Sequence, residues 1–209
     1  MISVVTLDRE YGCGGPAIAA RLAERLGWQL WDARLTEELA RRANCDPAAV
    51  QAREERRDRL AYRLLKSFMR GSFEASLHTN RLQLLDADRI ASLSRQVVQE
   101  VAAQGRCVIV GRGAQFFLRD RPDTYHVFVY APTEEKMRRE LEAGRTVAHA
   151  RRRIAATDRE RARFTRKYFR LTWPSRHRYH LMVNTLIGDE AVVDTIVAAI
   201  AARDRPPAR

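Results

Sequence analysis

A glycine-rich stretch near the start of the chain has the residue types of an anion-binding loop. Residues 12–15 read Gly-Cys-Gly-Gly, and they follow the short β-branched run 2–7. Three glycines among four residues permit positive φ angles and a close backbone approach, so that N–H groups turn towards a ligand. Pro16 suits the first turn of a helix, whose N-terminus attracts anions. The stretch therefore predicts a strand, a phosphate-binding loop and a helix.

The loop departs from the phosphate-loop pattern G-x-x-x-x-G-K-[ST]. The lysine position, directly after Gly14, holds Gly15, and Pro16 follows, so that the hydroxyl group for Mg²⁺ is also missing. A glycine-rich turn of an α/β protein without any ligand therefore remains an alternative interpretation. Cys13 has the chemistry of a nucleophile, but we expect it to fill space among the glycines.

Composition places the chain among single-domain globular proteins. It has 209 residues, of which 45% are hydrophobic and 31% charged, enough for one α/β domain with a sizeable core. No apolar run approaches the ~20 residues of a membrane span, and the first residues do not resemble a signal peptide. Three widely separated cysteines argue against a disulfide framework or a zinc site. We expect a cytoplasmic protein with no membrane partner.

The net charge of +12 is concentrated in one segment. Residues 138–178 hold 14 Arg and Lys against four Asp and Glu, a net charge of +10. Nucleic acid, an acidic surface and a phosphorylated small molecule are all candidate partners for such a segment. A solvated arginine-rich helix without a ligand is the alternative.

Strand and helix patterns alternate along the chain, which predicts one doubly wound parallel sheet of about five strands. The predicted strands are 2–7, 29–32, 107–110, 126–130 and 181–183, and the main predicted helices are 17–26, 36–43, 86–103, 145–170 and 189–201. Asp46 and Pro47 predict a further helix start, and residues 60–69 form an apolar helical stripe that Gly71-Ser72 ends. That stripe would serve a core or a homodimer.

Arg112 follows the clearest strand of the chain. The run 107–110 is apolar throughout, as in a strand buried on both faces, and continues into Gly111-Arg112-Gly113. Ligands of open α/β sheets bind beyond the carboxyl ends of the strands. We therefore expect Arg112 to face whatever the loop at 12–15 binds; a surface arginine on a turn is the alternative.

Five segments together resemble the cytidylate kinase-like family of nucleoside monophosphate kinases. They occur in the family's order over nearly the whole chain, although none is diagnostic alone. The segments are Arg9-Glu10-Tyr11-Gly12-Cys13-Gly14-Gly15, Trp31-Asp32, Val108-Ile109-Val110-Gly111-Arg112-Gly113-Ala114, Asp158-Arg159-Glu160-Arg161 and Tyr179-His180-Leu181-Met182-Val183-Asn184-Thr185.

The resemblance implies a three-layer P-loop NTPase fold in one domain, residues 1–202, with helices on both faces of the sheet. Its core would comprise residues 1–32, 105–143 and 179–202. A helical acceptor-binding region would occupy residues 33–104, an arginine-rich lid residues 144–170, and a flexible tail residues 203–209. Such a lid explains the local basic charge, because phosphoryl transfer needs positive charge around the transferred group.

The resemblance also assigns roles to residues. Arg112 is similar to the arginine that binds the acceptor's phosphate, and Asp32 to the acid near its sugar or base. Arg161 and Asp158 resemble the lid pair in which the arginine reaches both phosphates and the acid orients it; an ordinary surface ion pair is the alternative. The predicted ATP-binding residues are Arg9, Gly12, Cys13, Gly14, Gly15 and Arg153, and Arg152 and Arg159 are weaker lid candidates.

The sequence departs from the family pattern at several positions. The loop lacks the lysine and the hydroxyl residue. Family members often have a basic residue near the position that Pro16 occupies here, and acids at the positions of Gly113 and His180. Arg9, just before the glycines, could supply some of the missing charge. These departures leave the acceptor open.

Two functions from different classes follow. The first is an ATP-dependent phosphotransferase acting on a nucleoside monophosphate or a related small phosphorylated acceptor, with Mg²⁺ bound mostly by water and substrate. The second is a nucleotide- or nucleic-acid-binding protein on a kinase fold, with little or no transfer. The missing lysine favours the second, whereas Arg112, Asp158 and Arg161 favour the first.

Overall fold

A five-stranded parallel sheet lies at the centre of the fold. The computed structural model describes residues 1–43 and 87–205. The strand order is β2-β3-β1-β4-β5, and each neighbouring pair is parallel. The strands are β1 (Val4–Arg9), β2 (Gln29–Trp31), β3 (Cys107–Val110), β4 (Thr124–Tyr130) and β5 (Leu181–Asn184).

Strand β1 occupies the middle of the sheet because its side chains are buried on both faces. It pairs with β3 on one side, from Val4 opposite Cys107 to Leu7 opposite Val110, and with β4 on the other. The carboxyl ends of these three strands therefore lie at one edge of the sheet, which is where the glycine-rich loop begins.

Seven helices connect or follow the strands in the described residues. They are α1 (Gly15–Leu26), α2 (Ala33–Ala43), α3 (Ala87–Gln104), α4 (Ala114–Phe117), α5 (Thr133–Glu142), α6 (Val147–Phe169) and α7 (Asp189–Arg203), with short 3-10 turns at Arg176–Arg178 and Thr185–Ile187. Their apolar faces form two separate clusters.

The two clusters cover opposite faces of the sheet. One joins α2 and α3 to the sheet through Leu35, Leu39 and Val98, with Phe164 of α6. The other joins α1 and α7 to the opposite face, with Ile18, Leu22 and Ile196 among its fully buried side chains. The predicted fold class, a three-layer α/β fold with helices on both faces of five parallel strands, is confirmed.

Element bounds differ from the sequence-based prediction at starts and at ends, and β1 spans Val4–Arg9 rather than 2–7. Strand β3 has the predicted bounds, whereas β4 begins at Thr124 rather than 126 because that end continues the parallel pairing with Val4. Helix α2 begins at Ala33, immediately after Asp32, and not at 36. Some predictions lie outside the described residues: the helix start at 46–47, the stripe at 60–69 with its end at 71–72, and the part of the tail at 206–209.

Within the described ranges, no helix combines the length and the apolar character that a membrane span requires.

Candidate functional site

The glycine-rich loop folds as a tight connection between β1 and α1. Gly12 and Gly14 both have positive φ angles, 80° and 82°, a backbone conformation that side-chain-bearing residues rarely adopt. Gly14 caps α1, and Pro16 stands in its first turn, where a missing N–H costs little. The N-terminus of α1 therefore lies at the carboxyl edge of the sheet, the position that favours an anion.

Arg9 fills the space where the loop lysine of other phosphate loops would begin. A Cβ atom at Gly15 would lie 2.8 Å from Cγ and 2.9 Å from Cβ of Arg9. The guanidinium group of Arg9 continues to Gly111, against which it packs so closely that a side chain there would overlap it. Arg9 thus extends across the edge of the sheet from α1 to the turn after β3.

Three arginines meet at a small cavity beside this edge. Arg9, Arg112 and Arg161 line it together with aromatic side chains, and its volume is about 40 Å³. Arg9 and Arg112 are 6% and 5% exposed. Burial lowers the pKa of Arg112 to about 10, with the charges of Arg9 and Arg161 acting in the same direction and Asp32 opposing them. Arg112 stays protonated at neutral pH, so the cavity favours an anion.

The backbone of Arg112 is itself unusual. Its φ angle is 57°, between Gly111 at 65° and Gly113 at 71°. A left-handed conformation costs an L-residue with a side chain about 1–2 kcal/mol, and residues in sparsely populated conformations concentrate at functional sites. Arg112 donates to the hydroxyl of Thr36, 2.6 Å away, which joins the turn after β3 to α2.

Asp8 fixes the walls of the cavity, a role that the sequence-based prediction missed. Its Oδ2 accepts hydrogen bonds from Gln115 (2.9 Å), the Trp173 indole (2.9 Å) and the Tyr179 hydroxyl (2.7 Å). Burial, reinforced by the charge of Asp8, raises the pKa of Tyr179, so that the hydroxyl remains a donor. The signal in the sequence was an acid directly after the short β-branched run 2–7, since a buried carboxylate requires partners.

Asp158 and Arg161 contact the backbone of the residues that lead into the loop. They are one turn apart on α6, with Nη1 of Arg161 at 3.2 Å from Oδ1 of Asp158. Nη1 also donates to the carbonyl of Arg9 at 2.7 Å, and the amide of Tyr11 donates to Asp158 at 2.8 Å. Burial raises the pKa of Asp158 and lowers that of Arg161. The pair is therefore not an exposed surface ion pair.

Lys136 of α5 is a second residue that the sequence-based prediction missed. Its ammonium group lies 2.5 Å from Glu10 and 3.5 Å from Asp158. Only 8% of its side chain is exposed, and its Cβ lies 3.2 Å from where a Cβ of Gly12 would be. The signal was its rarity, because Lys136 is one of three lysines in an arginine-rich chain.

The other predicted site residues occupy different surroundings. Asp32 is buried, and its charge partly opposes the lowering of the Arg112 pKa by burial. Arg153 lies over the ring of Tyr11, 5.2 Å from its centroid, whereas Arg152 and Arg159 are exposed.

Cys13 is fully buried beneath the loop. Its thiol donates to the carbonyl groups of Glu10 (3.1 Å) and Val129 (3.4 Å). Burial raises the pKa of this thiol to about 11, so the reactive thiolate is scarce at neutral pH. The sulfur contributes to loop packing, and its access to a substrate is closed.

Protein ligands for Mg²⁺ are few around the loop. Pro16 offers no hydroxyl, and the carboxylates of Glu10 and Asp158 are both engaged by Lys136. Residues 1–43 and 87–205 contain no group of three or more His, Cys, Asp or Glu side chains that could hold a metal ion. A metal ion would therefore depend on oxygens of a bound phosphate and on water.

Comparison with solved structures identifies the same fold in other proteins. An uncharacterized protein from Eubacterium ventriosum is 21% identical, with a TM-score of 0.70 over 97% of this chain and 99% of its own. Shikimate kinase from Acinetobacter baumannii, in complex with shikimate, is 14% identical with a TM-score of 0.54, over 99% and 97% of the two chains. Shikimate kinase from Bacteroides thetaiotaomicron is 15% identical with the same TM-score, over 96% and 99%. No curated protein sequence matches the chain.

A sequence-family model gives the assignment that these structural likenesses leave open. The model of the cytidylate kinase-like family matches residues 4–186, which include the loop, Arg112, Lys136 and the Asp158–Arg161 pair. The chain is thus a kinase-like protein, and it belongs to the cytidylate kinase-like family.

Proposed function

We propose that the protein transfers the γ-phosphoryl group of ATP to a small phosphorylated acceptor, a nucleoside monophosphate or a related compound. The observation that carries this proposal is the convergence of Arg9, Arg112 and Arg161 on one cavity at the edge of the glycine-rich loop. Guanidinium groups bind phosphate oxygens through paired hydrogen bonds and keep their charge when buried.

In the proposed reaction the loop amides and the N-terminus of α1 bind the ATP phosphates, and Arg112 binds the acceptor's phosphate. An acceptor oxygen forms a bond to the γ-phosphorus while the bond to the β–γ bridging oxygen breaks, and ADP leaves. Arg161, oriented by Asp158, stabilises the charge on the transferred group. Mg²⁺ would arrive with ATP, since few protein ligands stand ready for it.

Arg9 supports this proposal against the objection that the loop lysine is missing. Its stem occupies the space at Gly15, and its guanidinium group lies at the cavity. The positive charge that the loop lacks in sequence is thereby present in space, although it is directed towards the turn after β3.

The test is phosphoryl transfer from ATP-Mg²⁺ to a panel of CMP, dCMP, UMP, AMP, GMP and shikimate, the last because two proteins of this fold are shikimate kinases. We expect turnover of one phosphorylated acceptor and a loss of at least tenfold in kcat/KM for Arg112→Ala. Arg119→Ala, at an exposed arginine seven residues away, is the matched control. Saturable ATP binding without any turnover would refute transfer to these acceptors and favour a binding protein.

The exposed face of α6 favours the alternative of nucleic-acid binding without transfer. Arg152, Arg159, Arg163 and Arg166 are exposed, and their spacing places them along one side of the helix. Binding through such a stripe depends steeply on salt and needs no ATP. The test titrates single-stranded RNA at 50 and 200 mM salt against the wild type, the Arg159→Ala/Arg163→Ala variant and Arg112→Ala. Nucleic-acid binding through this face of α6 predicts weaker binding by the double variant and unchanged binding by Arg112→Ala.

A further inference from the structure

Lys136 is a buried cation placed directly against the phosphate loop. It stands in the first turns of α5, and the stem of its side chain lies on Gly12, whose missing side chain makes the contact possible. Lysine is almost never buried unless it is paired. Here the pairing connects three segments, because Glu10 lies between β1 and the loop and Asp158 belongs to α6.

The same helix places a second cation on the loop. Arg139, one turn after Lys136, packs against Gly14 so closely that a side chain at Gly14 would overlap its guanidinium group. Arg139 is held by Glu135 at 2.7 Å and by Asp189 at 2.9 Å. Helix α5 therefore packs against both loop glycines that have positive φ angles, with the Cβ of Lys136 at Gly12 and the guanidinium group of Arg139 at Gly14.

Cations from several elements surround the loop. Arg9, Arg112 and Arg161 supply the side that faces the cavity. Lys136 lies beside Glu10 and Gly12, and it shares the Asp158 carboxylate with Arg161. An ammonium group has three N–H bonds, and two carboxylates engage Lys136 in the described part of the chain. A phosphate oxygen at the loop can take the third bond or displace the Glu10 carboxylate.

We propose that Lys136 binds the terminal phosphates of ATP, so that α5 supplies the ammonium group which the loop lacks at Gly15. This inference rests on the proposed function, since it assumes that ATP occupies the loop. Glu10 and Asp158 hold the ammonium group next to the loop before the nucleotide binds, and the ion pairs reduce the cost of burying the lysine. A flexible ammonium group suits a phosphate as a point charge.

The test compares the binding of ATP-Mg²⁺ and of AMP by calorimetry in three proteins. They are the wild type, Lys136→Met, and Lys167→Met as the matched control at an exposed lysine of α6. We expect Lys136→Met to raise the Kd for ATP at least tenfold while the Kd for AMP changes less than twofold. The control should change neither. Lys136→Gln keeps a donor for Glu10 and Asp158, and it carries the same expectation if the methionine variant fails to fold.

Three outcomes would overturn the inference. If the wild type binds ATP and the charge-removing variants bind it within twofold as well, Lys136 does not contact the phosphates and the proposed function stands. An equal loss of ATP and AMP affinity would indicate a purely structural role for the lysine. Absence of ATP binding by the wild type itself would refute the proposed function together with the inference.

Discussion

Introducing a side chain at residue 15 should destabilise the folded protein, although a lysine there would bring the loop closer to the standard phosphate-loop pattern. A Cβ atom at Gly15 would lie 2.8 Å and 2.9 Å from Cγ and Cβ of Arg9, and 3.6 Å from the Val129 side chain. The Arg9 atoms in question cannot move away easily, because the backbone of Arg9 pairs with Val129 in the sheet and its guanidinium group packs on Gly111.

The expected cost follows from that overlap. Overpacking of a buried site costs typically about 1–3 kcal/mol, and the preference for alanine over glycine, about 1 kcal/mol in a helix interior, applies only in part because Gly15 is the first residue of α1. We therefore expect Gly15→Ala to lower the free energy of unfolding by about 1–2 kcal/mol, and Gly15→Lys to lower it at least as much.

Urea unfolding of the variants measures this cost, and a double-mutant cycle with Arg9→Ala isolates its cause. Removal of Cγ from Arg9 relieves the shorter contact, so Gly15→Ala should cost less in the Arg9→Ala background, with a coupling energy of about 1 kcal/mol. If Gly15→Ala is neutral, or if its cost is the same in both backgrounds, Arg9 does not occupy the lysine position.

Three further predictions concern buried polar groups. Burial lowers the pKa of His126 to about 4. The neutral imidazole therefore contributes on the order of 3 kcal/mol to the free energy of unfolding above the ordinary pKa of histidine, and this contribution is lost as the pH falls from about 6.5 to 4. In urea titrations, the stability difference between the wild type and His126→Asn should shrink over that range. Tyr179→Phe removes a donor to the buried Asp8 carboxylate and should cost about 1–3 kcal/mol in the same assay, and a neutral effect would show that Asp8 needs only its other donors. Burial raises the pKa of Cys13 and of Cys107 to about 11, so a thiol reagent at pH 8 should modify at most one of the three cysteines in the native protein, and peptide mapping that identifies either of these two would contradict the structure.

Local patterns in the sequence predicted the parts of the site that depend on neighbouring residues. The glycines of the loop, the apolar run of β3 and the spacing of Asp158 and Arg161 each specify geometry within a few residues. For that reason the order of strand, loop and helix at the start of the chain agrees with the prediction, although β1 spans Val4–Arg9 rather than 2–7, and Asp158 and Arg161 lie one helical turn apart.

The parts that were missed depend on packing between distant segments. Lys136 contacts the loop only because α5 follows β4, which pairs with β1 in the sheet. The sequence shows a lysine in an arginine-rich helix and nothing about the element on which that helix packs. The role of Asp8 requires knowledge of three donors, the most distant of them 171 residues away along the chain.

The position of Trp173 gives the cavity an optical reporter. Its indole N–H donates a hydrogen bond to Asp8, and its ring centroid lies 5.7 Å from that of Phe128. The side chain forms part of the cavity wall next to the arginines. Indole fluorescence responds to nearby charge and to the strength of that hydrogen bond. In a protein in which Trp28 and Trp31 are replaced by phenylalanine, the emission of Trp173 alone would follow the entry of an anion, without any label on protein or ligand.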